Sequence, residues 1–375
     1  MSTTPALNRT TDPLLTVIAA AGRVGVPVLL WGHPGTGKSS LLSAVAAAEG
    51  LPMETVIASV REPSDFAGLP VVADDGTVTM APPSWARRLA DAEDGGFLFL
   101  DELSTAPPAV QAATLRVTLD RVVGDLPLGK KVRVIAAANP PESAADGWDL
   151  PAPQANRFLH INHTLDTEAW CSGLITGFPT PTMGRVYDPT RERLAASRGQ
   201  VSAFIHHHGD LLHRMPPTTD ASATGRAWPS PRTWTMLADV LAVLDAHDTP
   251  AALLAASGLV GTGPATEFLN WRENNDLPDP ADVIDDPTTT NWSALRPDQA
   301  YALLSSVVAT ATAPGTKAGW LRAWPVLAHA NDNGKADIAV NAALSLLRAR
   351  PAGTMPPTSV KAFTRVLDAA GLLNG

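Results

Sequence analysis

The sequence predicts an α/β fold: a five-stranded parallel sheet wrapped by helices, interrupted by hairpin inserts and followed by an α-helical C-terminal region. Three observations carry that prediction. Short apolar runs alternate with helical stretches from Leu14 to about Thr164, a glycine-rich turn of the form GxxxxGK[ST] joins one such run to a helix, and strand signals stop after Asp166.

The strand candidates are Val26 to Trp31, Met53 to Val60, Gly96 to Leu100, Val132 to Ala137 and Phe158 to Asn162, each apolar enough to be buried on both faces. Lys38 to Glu49 has the composition of a helix opening at the glycine-rich turn. Pro107 to Asp120 places proline in its first turn and apolar residues at Val110, Leu115 and Leu119, so it too is read as a helix. Two hairpins are expected between these elements. In Val71 to Met80 the Asp74-Asp75-Gly76 turn supplies the positive φ a tight hairpin needs, and Val122 to Val134 turns around Gly124-Asp125 and Gly129-Lys130. The second half reads as helices at Leu194 to Met215, Pro231 to His247, Pro297 to Ala311, Ala336 to Arg350 and Thr358 to Leu373, with an acidic, proline-rich connector over Asp276 to Pro297.

The 375 residues hold 28 Lys and Arg against 37 Asp and Glu, a net charge of −9. A net-negative surface repels phosphate backbones, which disfavours nucleic acid as a partner unless a local basic spot supplies the contact. Apolar residues are 45% and charged residues 17%, a balance that excludes a disordered or coiled-coil chain. A single cysteine, Cys171, excludes an intrachain disulfide framework and a multi-cysteine zinc cluster. That usage fits a reducing compartment, and a cytoplasmic location is expected. Met1 to Pro13 is polar, and the apolar runs fall far short of the ~20 residues that span a bilayer, so neither leader nor membrane anchor is expected.

The chemistry starts at Gly32-His33-Pro34-Gly35-Thr36-Gly37-Lys38-Ser39, which follows a strand and opens a helix. Glycines let backbone N–H groups turn inward around phosphates, Lys38 reaches the β- and γ-phosphates, and Ser39 offers its hydroxyl to Mg²⁺ at the positive end of the helix. The strand Phe97-Leu98-Phe99-Leu100 ends in Asp101-Glu102. That delivers two carboxylates to the sheet edge where ligands bind in open α/β folds. Asp101 is the expected Mg²⁺ ligand, and Glu102 the base that orients and deprotonates the attacking water. Two other features carry site-type residues. His206-His207-His208 with His213 lacks ligand spacing and reads as a solvated helix face, and the tryptophans of the helical half, among them Trp170, Trp228, Trp234, Trp271 and Trp292, read as core.

Five marks in order, the GHPGTGKSS loop that ends in Ser40, the FLFLDE strand, Ala136-Ala137-Ala138-Asn139-Pro140, Ala155-Asn156-Arg157-Phe158 and Pro229-Ser230-Pro231-Arg232-Thr233, make the chain resemble the AAA+ ATPases of the MoxR-like, dynein-related branch. The resemblance runs from about Leu14 to Trp234. It implies a polar tail at 1–13, an AAA+ nucleotide-binding core at 14–165, a linker and helical lid at 166–275 and a C-terminal helical region at 276–375. Asn139 matches sensor 1, a neutral amide that hydrogen-bonds the γ-phosphate and the attacking water. Arg157 matches the arginine finger that reaches a neighbouring subunit's nucleotide. Arg232 matches sensor 2, a lid arginine on the γ-phosphate in cis, although Trp228-Pro229-Ser230 replaces the family's small, glycine-led lead-in. The two hairpins resemble the helix-2 insert and the pre-sensor-1 hairpin, with Lys130 and Lys131 at the tip of the second.

The resemblance implies ATP and Mg²⁺ as cofactors, a homo-oligomeric ring of six, and a protein partner bearing a von Willebrand A domain that is remodelled at the expense of hydrolysis. Two alternatives stand beside it: a nucleic-acid-stimulated motor using Lys130, Lys131 and Arg133, and an ATP-gated scaffold with negligible hydrolysis, against which Glu102 argues.

Overall fold

The computed structural model describes residues 11–140, 150–178, 182–274 and 277–364. Most of the expected tail and the stretch expected as helix beyond Thr364 lie outside them. The chain divides into two compact units. One comprises the chain up to Tyr187 with Arg214–Val240 and Leu244–Gly263; the other comprises Asp188–His213, Leu241–Val243 and the chain from Pro264 onward.

The first unit begins α1 (Pro13–Val24), β1 (Val28–Trp31), α2 (Lys38–Ala48), β2 (Met53–Ile57), α3 (Ser64–Ala67), β3 (Leu69–Val72), β4 (Val78–Ala81), α4 (Ser84–Ala90) and β5 (Gly96–Asp101). It continues through α5 (Pro108–Asp120), β6 (Val122–Val123), β7 (Leu126–Pro127), β8 (Val132–Ala138), α6 (Ala152–Ala155), β9 (Leu159–Asn162) and α7 (Thr167–Thr176). Asp12 accepts a hydrogen bond from the Leu14 amide and Pro13 pre-sets the first turn, so α1 starts where it does. The main sheet has the order β2-β5-β8-β1-β9 and is parallel throughout. All five expected strands are present, within a residue or two at most ends.

Register decides where the site lies. Trp31 is opposite both Ala138 and Asn162, and Ile57 is opposite Asp101. The residues that follow β1, β5 and β8 therefore leave the sheet at one shared edge. Phe97, Leu98, Phe99 and Leu100 are at most 1% exposed. Burial of such side chains, worth about 1.5–3 kcal/mol each, anchors the strand that carries the two carboxylates.

The first expected hairpin is β3 with β4, paired from Leu69 opposite Ala81 to Val72 opposite Val78, and Gly76 takes its positive φ. The second is shorter than expected. Only Val122–Val123 and Leu126–Pro127 pair, so Gly124-Asp125 is its tip, and Lys130 and Lys131 lie in the segment leading into β8. Gly124-Asp125 is docked instead of free: Asp125 Oδ2 accepts from the Met80 amide at 2.7 Å, and the Gly124 amide donates to Phe66 O at 3.1 Å. The approach requires glycine on both sides. A Cβ on Gly68 would lie 2.8 Å from the Gly124 Cα, and one on Gly124 would lie 2.4 Å from Met80 O.

After α8 (Arg191–His207), which belongs to the second unit, the chain returns to the first for α9 (Ala221–Thr224), α10 (Pro231–Val243), whose last residues fall in the second, and α11 (Thr249–Val260). Helix α8 stops short of the expected Met215, because His208 turns out of helical geometry and its ring folds back onto Phe204. Helix α10 ends at Val243, not His247. The second unit then adds α12 (Thr262–Asn274), which starts in the first, α13 (Pro280–Asp285), α14 (Pro297–Thr312), α15 (Lys317–Ala330) and α16 (Ala336–Arg348). Its core is aromatic: Trp292, Trp320, Trp324 and Phe363 are buried with Leu303, Leu327 and Leu346. The proline-rich connector contributes Val283 and Trp292 to that core. Trp228 and Trp234 are buried as expected, whereas Trp170 on α7 is 44% exposed.

A candidate nucleotide site at the sheet edge

The phosphate-loop segment leaves β1 at Gly32 and enters α2 at Lys38. Gly35 and Gly37 have φ of 76° and 84°, and a Cβ at either would meet nothing within 4 Å. The demand for glycine there comes from backbone conformation, not crowding. Thr36 Oγ1 donates to His33 O at 2.8 Å and closes the turn, while His163, just past β9, contacts Thr36 O through Nε2 at 3.0 Å. Pro34, Gly35, Gly37, Ser39 and Ser40 are exposed around a buried Lys38.

Lys38 Nζ donates to Gly32 O at 2.6 Å, His33 O at 3.0 Å and Asn139 Oδ1 at 3.3 Å. Burial pushes its ammonium below the ordinary lysine value, and the carboxylates of Asp101 and Glu102 oppose that shift. Ser39 Oγ donates to Asp101 Oδ2 at 3.1 Å, and the Glu102 amide donates to Asp101 Oδ1 at 2.9 Å. Two oxygens bound at right angles to Mg²⁺ at ~2.0–2.1 Å lie about 2.9 Å apart, so this pair fits adjacent positions on that ion. Among the described residues no cluster of three or more His, Cys, Asp or Glu could hold a metal, and His206 is stacked on Tyr301 at 4.2 Å. A hard cation sharing its coordination with phosphate and water is the metal chemistry these residues suit.

Glu102 adopts φ 56°, ψ 38°, a left-handed conformation uncommon outside glycine. That turn directs its carboxylate to Ser59, whose hydroxyl donates to Oε2. Asn139 is held by its main chain: its amide donates to Ser104 Oγ at 3.1 Å, and that hydroxyl donates back to Asn139 O at 3.3 Å. Lys38, Ser39, Asp101, Glu102 and Asn139 thus converge within one site.

The two arginines lie elsewhere. Arg157 precedes β9 at the opposite end of the strand, where the Leu159 amide donates to Pro27 O ahead of β1. Four strand residues separate the two edges by about 13 Å, beyond one arginine's reach to its own Lys38. Its Nη1 donates to Pro153 O, and its Nε is buried without a hydrogen-bond partner among the described residues. Arg232 is exposed on the first turn of α10. That turn is tied to Arg157's neighbour, since Ser230 Oγ donates to Asn156 Oδ1 at 2.7 Å and Asn156 Nδ2 donates to Trp228 O at 3.2 Å. Burial first, then the charge of Arg232, pushes the Arg157 guanidinium below the ordinary arginine value, with Asp120 pulling the other way. Arg232, expected to contact the γ-phosphate in cis, is carried by a helix turn anchored beside Arg157, at the sheet edge away from Lys38.

Sequence reasoning passed over Ser59, Ser104 and His163. None sits in a motif, and each reaches the site only through tertiary contact.

A P-loop followed by a carboxylate-tipped strand and an asparagine-tipped strand on a β2-β5-β8-β1-β9 sheet defines a nucleotide-binding α/β domain. Residues 27–158 match the AAA domain of the dynein-related subfamily. The protein MoxR of Methylorubrum extorquens is 34% identical over 136 residues, 35% of this chain and 38% of that protein. The Psp operon transcriptional activator of Escherichia coli is 36% identical over 137 residues, 34% of this chain and 38% of the activator. Midasin of Giardia intestinalis is 29% identical over 190 residues, 47% of this chain and 4% of midasin. The chain spans less than two fifths of the length of each of these relatives. Over residues 27–158 the chain matches an AAA domain of the dynein-related subfamily and is similar there to the MoxR proteins.

Proposed function

We propose that the chain hydrolyses ATP with Mg²⁺ in a ring of like subunits, six in number, and uses the cycle to remodel a protein partner. The observation that carries this reading is the division of the charged residues between two sheet edges. Lys38, Ser39, Asp101, Glu102 and Asn139 gather at one, and Arg157 with Arg232 at the other. A site whose arginines lie on the far edge is completed by a second copy, as a ring does for each member.

Within the site, Lys38 would bind the terminal phosphates and Asn139 would orient the γ-phosphate and the attacking water. Glu102 would take that water's proton. Mg²⁺, held by Ser39 and Asp101, would neutralise charge between the phosphates. Arg157, with Arg232 beside it, would stabilise charge in the neighbouring subunit's site. Phosphoryl transfer needs positioning and electrostatics more than covalent help, and this set supplies both.

The nucleic-acid reading is weaker on specific grounds. Lys131 pairs with Asp94 at 3.7 Å, and Arg133 forms a largely buried ion pair with Glu49, so neither is a basic tip. A von Willebrand A-domain protein remains the proposed partner class, from the MoxR-like resemblance.

Nucleotide binding and Mg²⁺-dependent turnover of the full chain test the reading. Lys38→Ala should lose ATP binding, and Glu102→Gln should keep binding while turnover falls about two to four orders of magnitude. Turnover unchanged by either substitution would sink it.

A further inference from the structure

The phosphate loop is anchored at its root by both neighbouring strands. The Gly32 amide donates to Ala138 O on β8 at 3.1 Å, and the His163 amide, just past β9, donates to Trp31 O at 2.7 Å. Trp31 is itself immobilised: its indole N–H donates to His160 Nδ1 at 2.9 Å, and His160 Nε2 donates to Ala155 O at 2.8 Å. A Cβ on Gly32 would come within 3.1 Å of His163 O, so the two main chains run in close contact there.

From that fixed backbone the His163 ring reaches the far end of the loop, where Nε2 lies 3.0 Å from Thr36 O in a partly buried bond. A carbonyl oxygen only accepts, so Nε2 carries the proton. Thr36 C=O and Gly37 N–H belong to one planar trans peptide unit and point in opposite directions. Holding the carbonyl toward β9 therefore turns the Gly37 amide away from it, to the side where the loop takes phosphate. Thr36 stands between Gly35 and Gly37, whose φ values of 76° and 84° reflect a backbone with few steric barriers of its own. A bond from outside the loop supplies the restraint that the glycines lack. Among the described residues no main-chain acceptor takes the Gly37 amide, which leaves that donor for an anion.

We infer that His163 is a positioning residue of the phosphate loop: by holding Thr36 O it keeps the Gly37 amide aimed at the phosphates that ADP and ATP share. The inference rests on the ATP-site reading above and deepens it, adding to that site a side chain that lies outside the loop and touches no ligand.

The test is the affinity of the full chain for ADP and for the imido analogue of ATP, both with Mg²⁺, measured beside KM and kcat for ATP. His163→Ala should weaken both nucleotides alike by about threefold to tenfold, the worth of one hydrogen bond, because the loop amides cradle the α- and β-phosphates that both carry. KM should rise by a similar factor while kcat holds, since Glu102 and Asn139 keep their places. Rescue separates positioning from packing. His163→Gln puts an amide donor near the place of Nε2 and should bind within about twofold of wild type, whereas His163→Met, of similar length without a donor, should be as weak as alanine. Where His163→Ala fails to fold, the glutamine and methionine variants decide between them. Affinities unchanged in the alanine variant, a glutamine variant no better than methionine, or a loss confined to the ATP analogue overturns the assignment. Wild type that binds neither nucleotide, or binds in a way Lys38→Ala does not change, overturns the ATP-site reading itself.

Discussion

His160 links the phosphate-loop strand to the segment before Arg157, and its hydrogen bonds require a neutral ring with the proton on Nε2. Burial lowers its pKa from 6.5 to about 4, the bond to Ala155 O opposing and Arg226 adding to the shift. Above pH 6.5 the folded and unfolded states both hold the neutral ring, and the group adds no pH dependence. Below 6.5 the unfolded chain takes a proton that the folded chain refuses, so stability falls until the pH passes the folded value of about 4. The loss is about 3 kcal/mol for a shift of this size. Denaturant melts at several pH values should show wild type weakening over that window and His160→Gln losing that part of the slope; parallel slopes would remove His160 as the cause. The residues legible from sequence were those whose role is fixed locally. Lys38 and Ser39 sit in one continuous turn, and Asp101 and Glu102 end one strand. Ser59 and Ser104 were not legible, because each gains its meaning from a partner dozens of residues away in the chain.

The strands were readable because a parallel sheet buries both faces, which forces near-continuous apolar runs such as Phe97 to Leu100. The second hairpin is shorter than its sequence suggests for a related reason. Gly129-Lys130 has turn composition, yet Leu128 and Val132 are buried and draw that segment into the core ahead of β8. The real tip, Gly124-Asp125, is pinned to the base of the first hairpin. Gly124→Ala should therefore cost more than Gly76→Ala, although both have φ above 60° or near it, at 60° and 80°. At Gly76 a Cβ meets nothing, so the substitution carries only the backbone cost of about 1 kcal/mol; at Gly124 it strikes Met80 O. Crowding of that kind adds about 1–3 kcal/mol. Thermal melts of the two variants would check the order, and equal losses would mean that the hairpins do not depend on that contact.

At the scale of the whole molecule, the separation of Arg157 from Lys38 predicts complementation between two inactive variants. Arg157→Ala keeps a sound phosphate loop, and Lys38→Ala can still lend Arg157 to a neighbour. Mixed, they should recover a measurable part of wild-type turnover, because an arginine finger is worth ~10³–10⁵ in rate and few restored interfaces suffice. Full activity of Arg157→Ala alone would remove the finger assignment. The course of the chain has a different consequence. It leaves the first unit after Tyr187, returns at Arg214, and leaves again after Gly263, with Leu241–Val243 assigned across as well. Helix α11 belongs to the returning stretch, and at Gly258 it lies so close to β9 that a Cβ would come within 2.3 Å of His160 O. A fragment ended at Tyr187 would keep Lys38, Ser39, Asp101, Glu102 and Asn139, yet would lay bare the edge strand that α11 covers and invite pairing with foreign strands. The second unit cannot be traded for another by splicing at a single point: any exchange must cut and rejoin the polypeptide at every crossing, so the two units can be replaced only with their boundaries matched together.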